Sequence, residues 1–147
     1  MTEVLTEIEI NKPLKLVAGY VANPDNVPEW SYKILSVKWQ TEKPLKAGSE
    51  FTFFSSFRRQ KIAYNYKVLS YLPTERLVMQ RGEGSSLVKD TYTWAAIGAV
   101  ATRLALCSSR EAGSLPAIVT RIVSAMIRYT NQRDLRKIKS ILEKGSN

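Results

Sequence analysis

Apolar and polar positions alternate with a period of two through most of the chain and change to a helical period in its last third. In the opening segment Val4, Ile8 and Ile10 share one face, with Glu7 and Glu9 on the other, which predicts a strand. Leu14, Val17, Ala18 and Val21 then recur at helical spacing behind Pro13, with Asn11 as the expected cap, so residues 13–22 are expected to form a short amphipathic helix. Asn23-Pro24-Asp25-Asn26 stops it, because a residue before proline is pushed out of the helical region, and residues 26–30 are expected to add one more turn. From Ile34 the period is two again, over residues 34–39, 50–57, 62–71, 76–81, 87–97 and 102–108, with turn residues such as Gly48, Pro73, Gly82, Gly84 and Gly98 between them. Six strands in succession predict an antiparallel meander.

The last third has the other period. Leu115, Ile118, Ile122, Met126 and Tyr129, then Leu135, Ile138 and Leu142, follow a helical repeat with Pro116 near its start and Gly145 past its end. One helix of about 28 residues is on the order of 42 Å long, enough to cross the whole sheet. No repeat, linker or low-complexity stretch interrupts the 147 residues, so a single domain over 1–147 is expected.

Composition narrows the chemistry. The chain has no histidine, which removes Ser-His-Asp and Cys-His catalysis and every His-containing metal motif. Its one cysteine, Cys107, makes neither an internal disulfide nor a thiolate zinc cluster, and alternation turns it outward, away from any activating cation. Any catalysis must therefore run on carboxylates, Tyr, Ser/Thr, Lys, Arg or one thiol, and no metal or cofactor is expected. MTEVLTEIEI lacks the basic start and greasy centre of a signal peptide, and the longest uncharged run, residues 91–102, is too short to span a bilayer as a helix. A soluble cytoplasmic protein is the default expectation.

The order of elements, together with Val21-Ala22-Asn23-Pro24-Asp25-Asn26, Pro28, Trp30, Gly48-Ser49-Glu50-Phe51, Tyr71-Leu72-Pro73, Glu75-Arg76-Leu77-Val78, Tyr92-Thr93-Trp94 and Thr102-Arg103-Leu104, resembles the START/SRPBCC superfamily. The likeness is greatest to its polyketide cyclase/dehydrase-like branch and runs from about Glu7 to Leu142. The resemblance implies an α+β helix-grip fold. A curved antiparallel sheet of about seven strands would wrap the long C-terminal helix, with two short helices after the first strand and an apolar cavity between sheet and helix. The superfamily uses such a cavity for carriers, receptors and cyclases, so the fold alone does not choose among them.

Alternation says which residues would face that cavity. Leu104 and Leu106 must point inward, as must Tyr92 and Trp94. The same rule puts Ile62, Tyr64, Tyr66 and Val68 inside, with Phe51, Phe53, Ser55 and Phe57 on the strand before and Leu77, Met79 and Arg81 on a later one. Trp30 is expected at the entrance, Ala18 on the inward face of the first helix, and Ile122, Met126 and Tyr129 on the opposite wall.

Arg81 ends one strand and Asp90 begins its partner, so the two are expected nearly opposite, as an ion pair. Either they satisfy each other at the cavity mouth, or they orient a polar group on a mostly apolar ligand. Tyr64 and Tyr66 likewise read either as core aromatics or, beside Arg81 and Asp90, as acid/base groups of a cyclase or dehydratase; for that enzyme Tyr64→Phe would abolish turnover.

The chain carries a formal charge of +9, and from Leu115 onward seven Arg and Lys face two acidic residues. Peripheral contact with an anionic membrane is one reading of this excess, and a solvated helix face is the plainer one. Nucleic acid is disfavoured, because aromatics do not interleave with the cations. The apolar run Ala95-Ala96-Ile97-Gly98-Ala99-Val100 departs from the polar hairpin usual in the family, and monomer and homodimer both stay open.

Overall fold

The computed structural model describes residues 2–111 and 115–144. Seven strands, β1 (Thr2–Ile10), β2 (Ser36–Trp39), β3 (Glu50–Phe57), β4 (Gln60–Leu72), β5 (Arg76–Arg81), β6 (Val88–Ala96) and β7 (Thr102–Arg110), form one antiparallel sheet in the order β1-β7-β6-β5-β4-β3-β2. Helices α1 (Leu14–Val21) and α2 (Val27–Trp30) follow β1, and α3 (Ala117–Lys144) follows β7. The α+β helix-grip architecture expected from the alternation and the resemblance is present.

Differences from the sequence expectation are local. Pro13, not Asn11, holds the cap position of α1, and the Asn11 backbone N–H instead donates to Glu143 Oε2 at 2.8 Å. Thr120 N donates to the Pro116 carbonyl at 3.1 Å, so Pro116 precedes the helix and α3 starts at Ala117 rather than Leu115. Its expected stop signal, Gly145, lies outside the described residues. β7 runs to Arg110, two residues beyond its expected end at Ser108.

Two features shape the sheet around the helix. β4 is 13 residues long and carries a bulge between Val68 and Ser70, which adds one residue, bends the strand and returns Tyr71 to the face opposite Leu77. Gly82, at φ +81°, starts the β5–β6 connection in the left-handed region, where an added Cβ would collide with the Ser86 carbonyl. That connection sets Arg81 opposite Val88.

The core lies between the concave face, α1 and the second half of α3. Ile10, Phe51, Leu104, Leu135 and Ile138 are fully buried. Phe51 sits among rings, with centroids 5.0 Å from Phe53, 5.9 Å from Trp39 and 6.1 Å from Tyr66. The second half of α3 is fastened to the end of β1, where Lys139 Nζ donates to the Glu9 carbonyl and pairs with Glu143, both at 2.7 Å. Its first half is different: Ile118, Ile122, Met126 and Tyr129 are all exposed, as is Leu115 just before the helix. No helix among the described residues is long and apolar enough to cross a membrane.

Candidate functional site

Directly opposed residues share a face of the sheet, so the register arranges inward side chains in rows across β5, β6 and β7. Leu77, Tyr92 and Leu106 form one row, Met79, Asp90 and Ser108 the next, and Arg81, Val88 and Arg110 the third. The concave surface therefore changes from apolar to charged along the strands. Above it α3 contributes Val123, Ile127, Thr130, Asn131 and Asp134, while Val21, Ala22, Val27 and Trp30 close one side. The cavity they enclose has a volume of about 400 Å³, within the roughly 300–1,000 Å³ of small-molecule sites. A second cavity of about 410 Å³ shares Arg81, Val88, Arg110, Val123 and Ile127 with it.

The polar groups of the site are organised. Asn131 Nδ2 donates to Ser108 Oγ, and Ser108 Oγ donates to Asp90 Oδ1, each at 2.9 Å, which ties α3 to β7 and β6. Burial holds the Asp90 carboxyl above its ordinary pKa, against the lowering effect of Ser108, Arg81, Arg110 and Lys33. Arg81 Nε donates to the Tyr66 hydroxyl at 3.2 Å, and its guanidinium lies 4.7 Å from the Tyr64 ring centroid. Lys33 Nζ lies 4.0 Å from the same centroid, so Tyr64 is in contact with two cations. Burial, then the Asp90 charge, raises the Tyr66 phenol although Arg81 pulls it down. The described residues contain no cluster of carboxylates and thiols that would hold a metal ion.

The family model described as polyketide cyclase / dehydrase and lipid transport matches residues 1–143. The chain belongs to that family. No curated protein sequence matches the chain. Solved structures with the same fold include the di-domain ARO/CYC BexL from the BE-7585A biosynthetic pathway, at a TM-score of 0.81 and 13% identity over 97% of this chain. This chain spans 47% of BexL, about half its length. The Zhui aromatase/cyclase from a Streptomyces species aligns at 0.79 and 12% identity, covering 99% of this chain and 96% of its own. A START superfamily protein from Mycobacterium smegmatis aligns at 0.74 and 10% identity, with 97% of each chain covered. Identities this low establish the shared fold and nothing finer.

In this polyketide cyclase / dehydrase and lipid transport family member, the cavity brings together Trp30, Phe53, Tyr66, Met79, Arg81, Asp90, Tyr92, Leu106 and Met126 of the residues expected from sequence. Six others fall elsewhere. Phe57 is 62% exposed, because it pairs with Gln60 at the tip of the β3–β4 hairpin, beyond the cavity. Ile122 and Tyr129 are exposed, because α3 presents the helix face of Val123, Ile127, Thr130, Asn131 and Asp134 to the cavity instead. Ala18 is buried in the core with Val17 and Val21, and it is Val21 and Ala22 that reach the cavity. Ser55 is buried and donates to the Lys33 carbonyl at 2.7 Å, and Tyr64 lies behind the Lys33 and Arg81 cations.

The expected Arg81–Asp90 ion pair is not formed. The register sets Asp90 opposite Met79 and Arg81 opposite Val88, one row apart, and Asp90 bonds Ser108. Sequence reasoning also missed Lys33, Ser108, Arg110, Asn131, Arg133 and Asp134, all of which line the cavity. Extending the Leu104, Leu106 alternation by four residues would have found Ser108 and Arg110. Arg133 is one of the cations expected on a solvated basic face, whereas it lines the cavity and its guanidinium lies 4.3 Å from the centroid of the exposed Tyr32 ring. Arg121, Arg128, Arg136 and Lys137 are exposed, as a solvated face requires. Cys107 faces outward across from Leu5 and Thr91, with its thiol pKa raised by partial burial.

Asp134 gives a measurable pH signature. Burial lifts its carboxyl from 3.8 to about 6, opposed by the Tyr32 N–H, which donates to Oδ1 at 3.3 Å, and by Arg133 and Lys33. Between those two pH values the folded chain keeps a proton that the unfolded chain has released, so stability falls as pH rises through the window and levels off above it. Asp134→Asn removes this titration. It is expected to raise stability at pH 7.5 by about 1–2 kcal/mol, after discounting for partial exposure, and to change it little at pH 3.5. Urea unfolding at the two pH values checks this, and equal effects at both would refute it.

Proposed function

We propose that the chain binds a small hydrophobic or amphipathic molecule in the cavity between the sheet and α3, as one helix-grip unit. The observation that carries this reading is the cavity itself, with its apolar floor at Leu77, Tyr92 and Leu106 and polar groups gathered at one end. Apolar area removed from water drives such binding at about 25 cal/mol per Å², and the few polar groups set orientation. Trp30, Phe53, Tyr66, Met79, Arg81, Asp90, Tyr92, Leu106 and Met126 are the expected contacts, joined by Asn131 and Arg110. The lipid-transport part of the family description and the START superfamily neighbour support this reading.

Native mass spectrometry of freshly purified protein, beside a thermal-shift screen of lipids, flavonoids and aromatic polyketides, tests it. A co-purified apolar ligand is one expected result. The other is a Tm raised by roughly 5–11 °C with ligand at a hundred times its Kd. Bare protein with no response across the screen would overturn the reading.

A second reading, a cofactor-free cyclase or dehydratase, is favoured by the 3.2 Å contact between Arg81 Nε and the Tyr66 hydroxyl and by the aromatase/cyclase neighbours. The environment of Tyr66 opposes it, since burial outweighs Arg81 and leaves the phenol a weaker acid than in water. Tyr66→Phe separates the two. A binding protein keeps its affinity within about tenfold, the worth of one hydrogen bond, and an enzyme loses turnover while still binding.

A further inference from the structure

Among the described residues, four buried side-chain nitrogens have no hydrogen-bond partner: Trp30 Nε1, Trp94 Nε1, Arg110 Nε and Arg133 Nε. All four are donors. Three of them belong to residues that line the main cavity, Trp30, Arg110 and Arg133. A buried donor left unpaired costs roughly 1–3 kcal/mol, and acceptor atoms brought by a ligand would remove that cost.

Charge points the same way. Lys33, Arg81, Arg110 and Arg133 line the cavity against Asp90 and Asp134. The ion pairs among the described residues are Lys43–Asp25 and Lys139–Glu143, so none of the four cavity cations is engaged in one. Burial holds both cavity carboxyls above their ordinary pKa, so neither is stabilised as an anion by the cations around it as strongly as burial opposes it.

The register makes this charge local. Arg81 and Arg110 both stand opposite Val88, so their backbones are two strands apart, about 10 Å, on the same face. Two long guanidinium side chains at that separation can converge on one group between them. Arg81 spends its Nε on the Tyr66 hydroxyl, and Arg110 Nε is free. Two rows along, the surface is Leu77, Tyr92 and Leu106.

We propose that the ligand of this cavity is an anionic amphiphile, its oxyanion head held by Arg81 and Arg110 and its apolar body lying on Leu77, Tyr92 and Leu106. The proposal rests on the reading that the cavity binds a small molecule, and it adds the charge and the direction of that molecule. The planar fork of each guanidinium suits a carboxylate, which can accept two N–H bonds at once. The shared positions of Arg81 and Arg110 in both cavities put the head at their junction.

Three probes of equal chain length isolate the head: decanoate, decanol and decyltrimethylammonium, titrated calorimetrically at pH 7.5 into the intact chain and into Arg110→Met and Arg110→Lys. Decanoate is expected to bind at least about tenfold more tightly than decanol, and the ammonium more weakly than either. Arg110→Met should bring decanoate to within about threefold of decanol when the two are compared on the same variant, and Arg110→Lys should restore part of the preference. Far-ultraviolet circular dichroism and a thermal melt show whether Arg110→Met is folded. Should Arg110→Met not fold, Arg110→Lys and the preference of the unmodified chain still decide the matter. Decanol binding as tightly as decanoate, or the ammonium binding best, would overturn the anionic head and leave the cavity reading standing. No binding by any of the three would overturn the cavity reading with it.

Discussion

Phe51→Ala is expected to destabilise the chain by about 3–5 kcal/mol, lowering Tm by roughly 6–20 °C. Phe51 is fully buried near the start of β3 and contacts three rings, Trp39, Phe53 and Tyr66. Truncation removes its apolar burial and leaves a void lined by rigid aromatics on three strands, which have little freedom to collapse into it. Against a typical total of about 5–15 kcal/mol the loss is large. Tyr66 would lose its stacked neighbour and the Arg81 contact its backing, so ligand affinity should fall with stability. Urea unfolding gives the measurement. A loss under about 1 kcal/mol would mean that the sheet closes around the missing ring, contrary to the packing described.

Ala22→Trp is expected to weaken binding of any cavity ligand at least about a hundredfold, equivalent to about 2.7 kcal/mol. Ala22 caps the end of α1, with its N–H bonded to the Ala18 carbonyl at 2.9 Å, and its side chain borders the cavity. An indole at this position has the cavity itself to occupy, so the expected stability cost is only about 1–3 kcal/mol. The instructive comparison is Ala18→Trp, one helical turn earlier. Ala18 is 3% exposed, packed in the core and not among the residues that line the two cavities described, so there the same indole should disrupt folding rather than block a site. Far-ultraviolet circular dichroism with calorimetric titration separates the outcomes. A folded Ala22→Trp that keeps native affinity would place the ligand elsewhere.

The strands were legible because most have one face in the core and one in solvent, and period-two alternation records that difference directly, although consecutive Phe51, Thr52 and Phe53 of β3 are all buried. The same alternation correctly turned Tyr92, Trp94, Leu104 and Leu106 inward and Thr93 and Arg103 outward. It failed at strand ends. Phe57 keeps the inward phase, but the β3–β4 hairpin outruns the cavity, and Arg110 has the inward phase on a strand expected to stop two residues earlier. On α3 the rule of apolar-inside misled, because the cavity needs polar wall residues. Asn131 and Asp134 therefore face in, while Ile122 and Tyr129 face out.

Local sequence, then, determined the element order, the strand faces and the chemistry excluded by the absence of histidine, because each depends on residues close in the chain or on composition alone, and the resemblance carried by that order implied the helix-grip class. Which polar groups meet was decided by register and by the rotation of α3 over the sheet. Arg81 and Arg110 are 29 residues apart in the sequence and become neighbours only because both stand opposite Val88. Asn131 reaches Asp90 only through Ser108. Those distances depend on how whole strands align and where a long helix settles, which is a property of the packed molecule and not of any one segment.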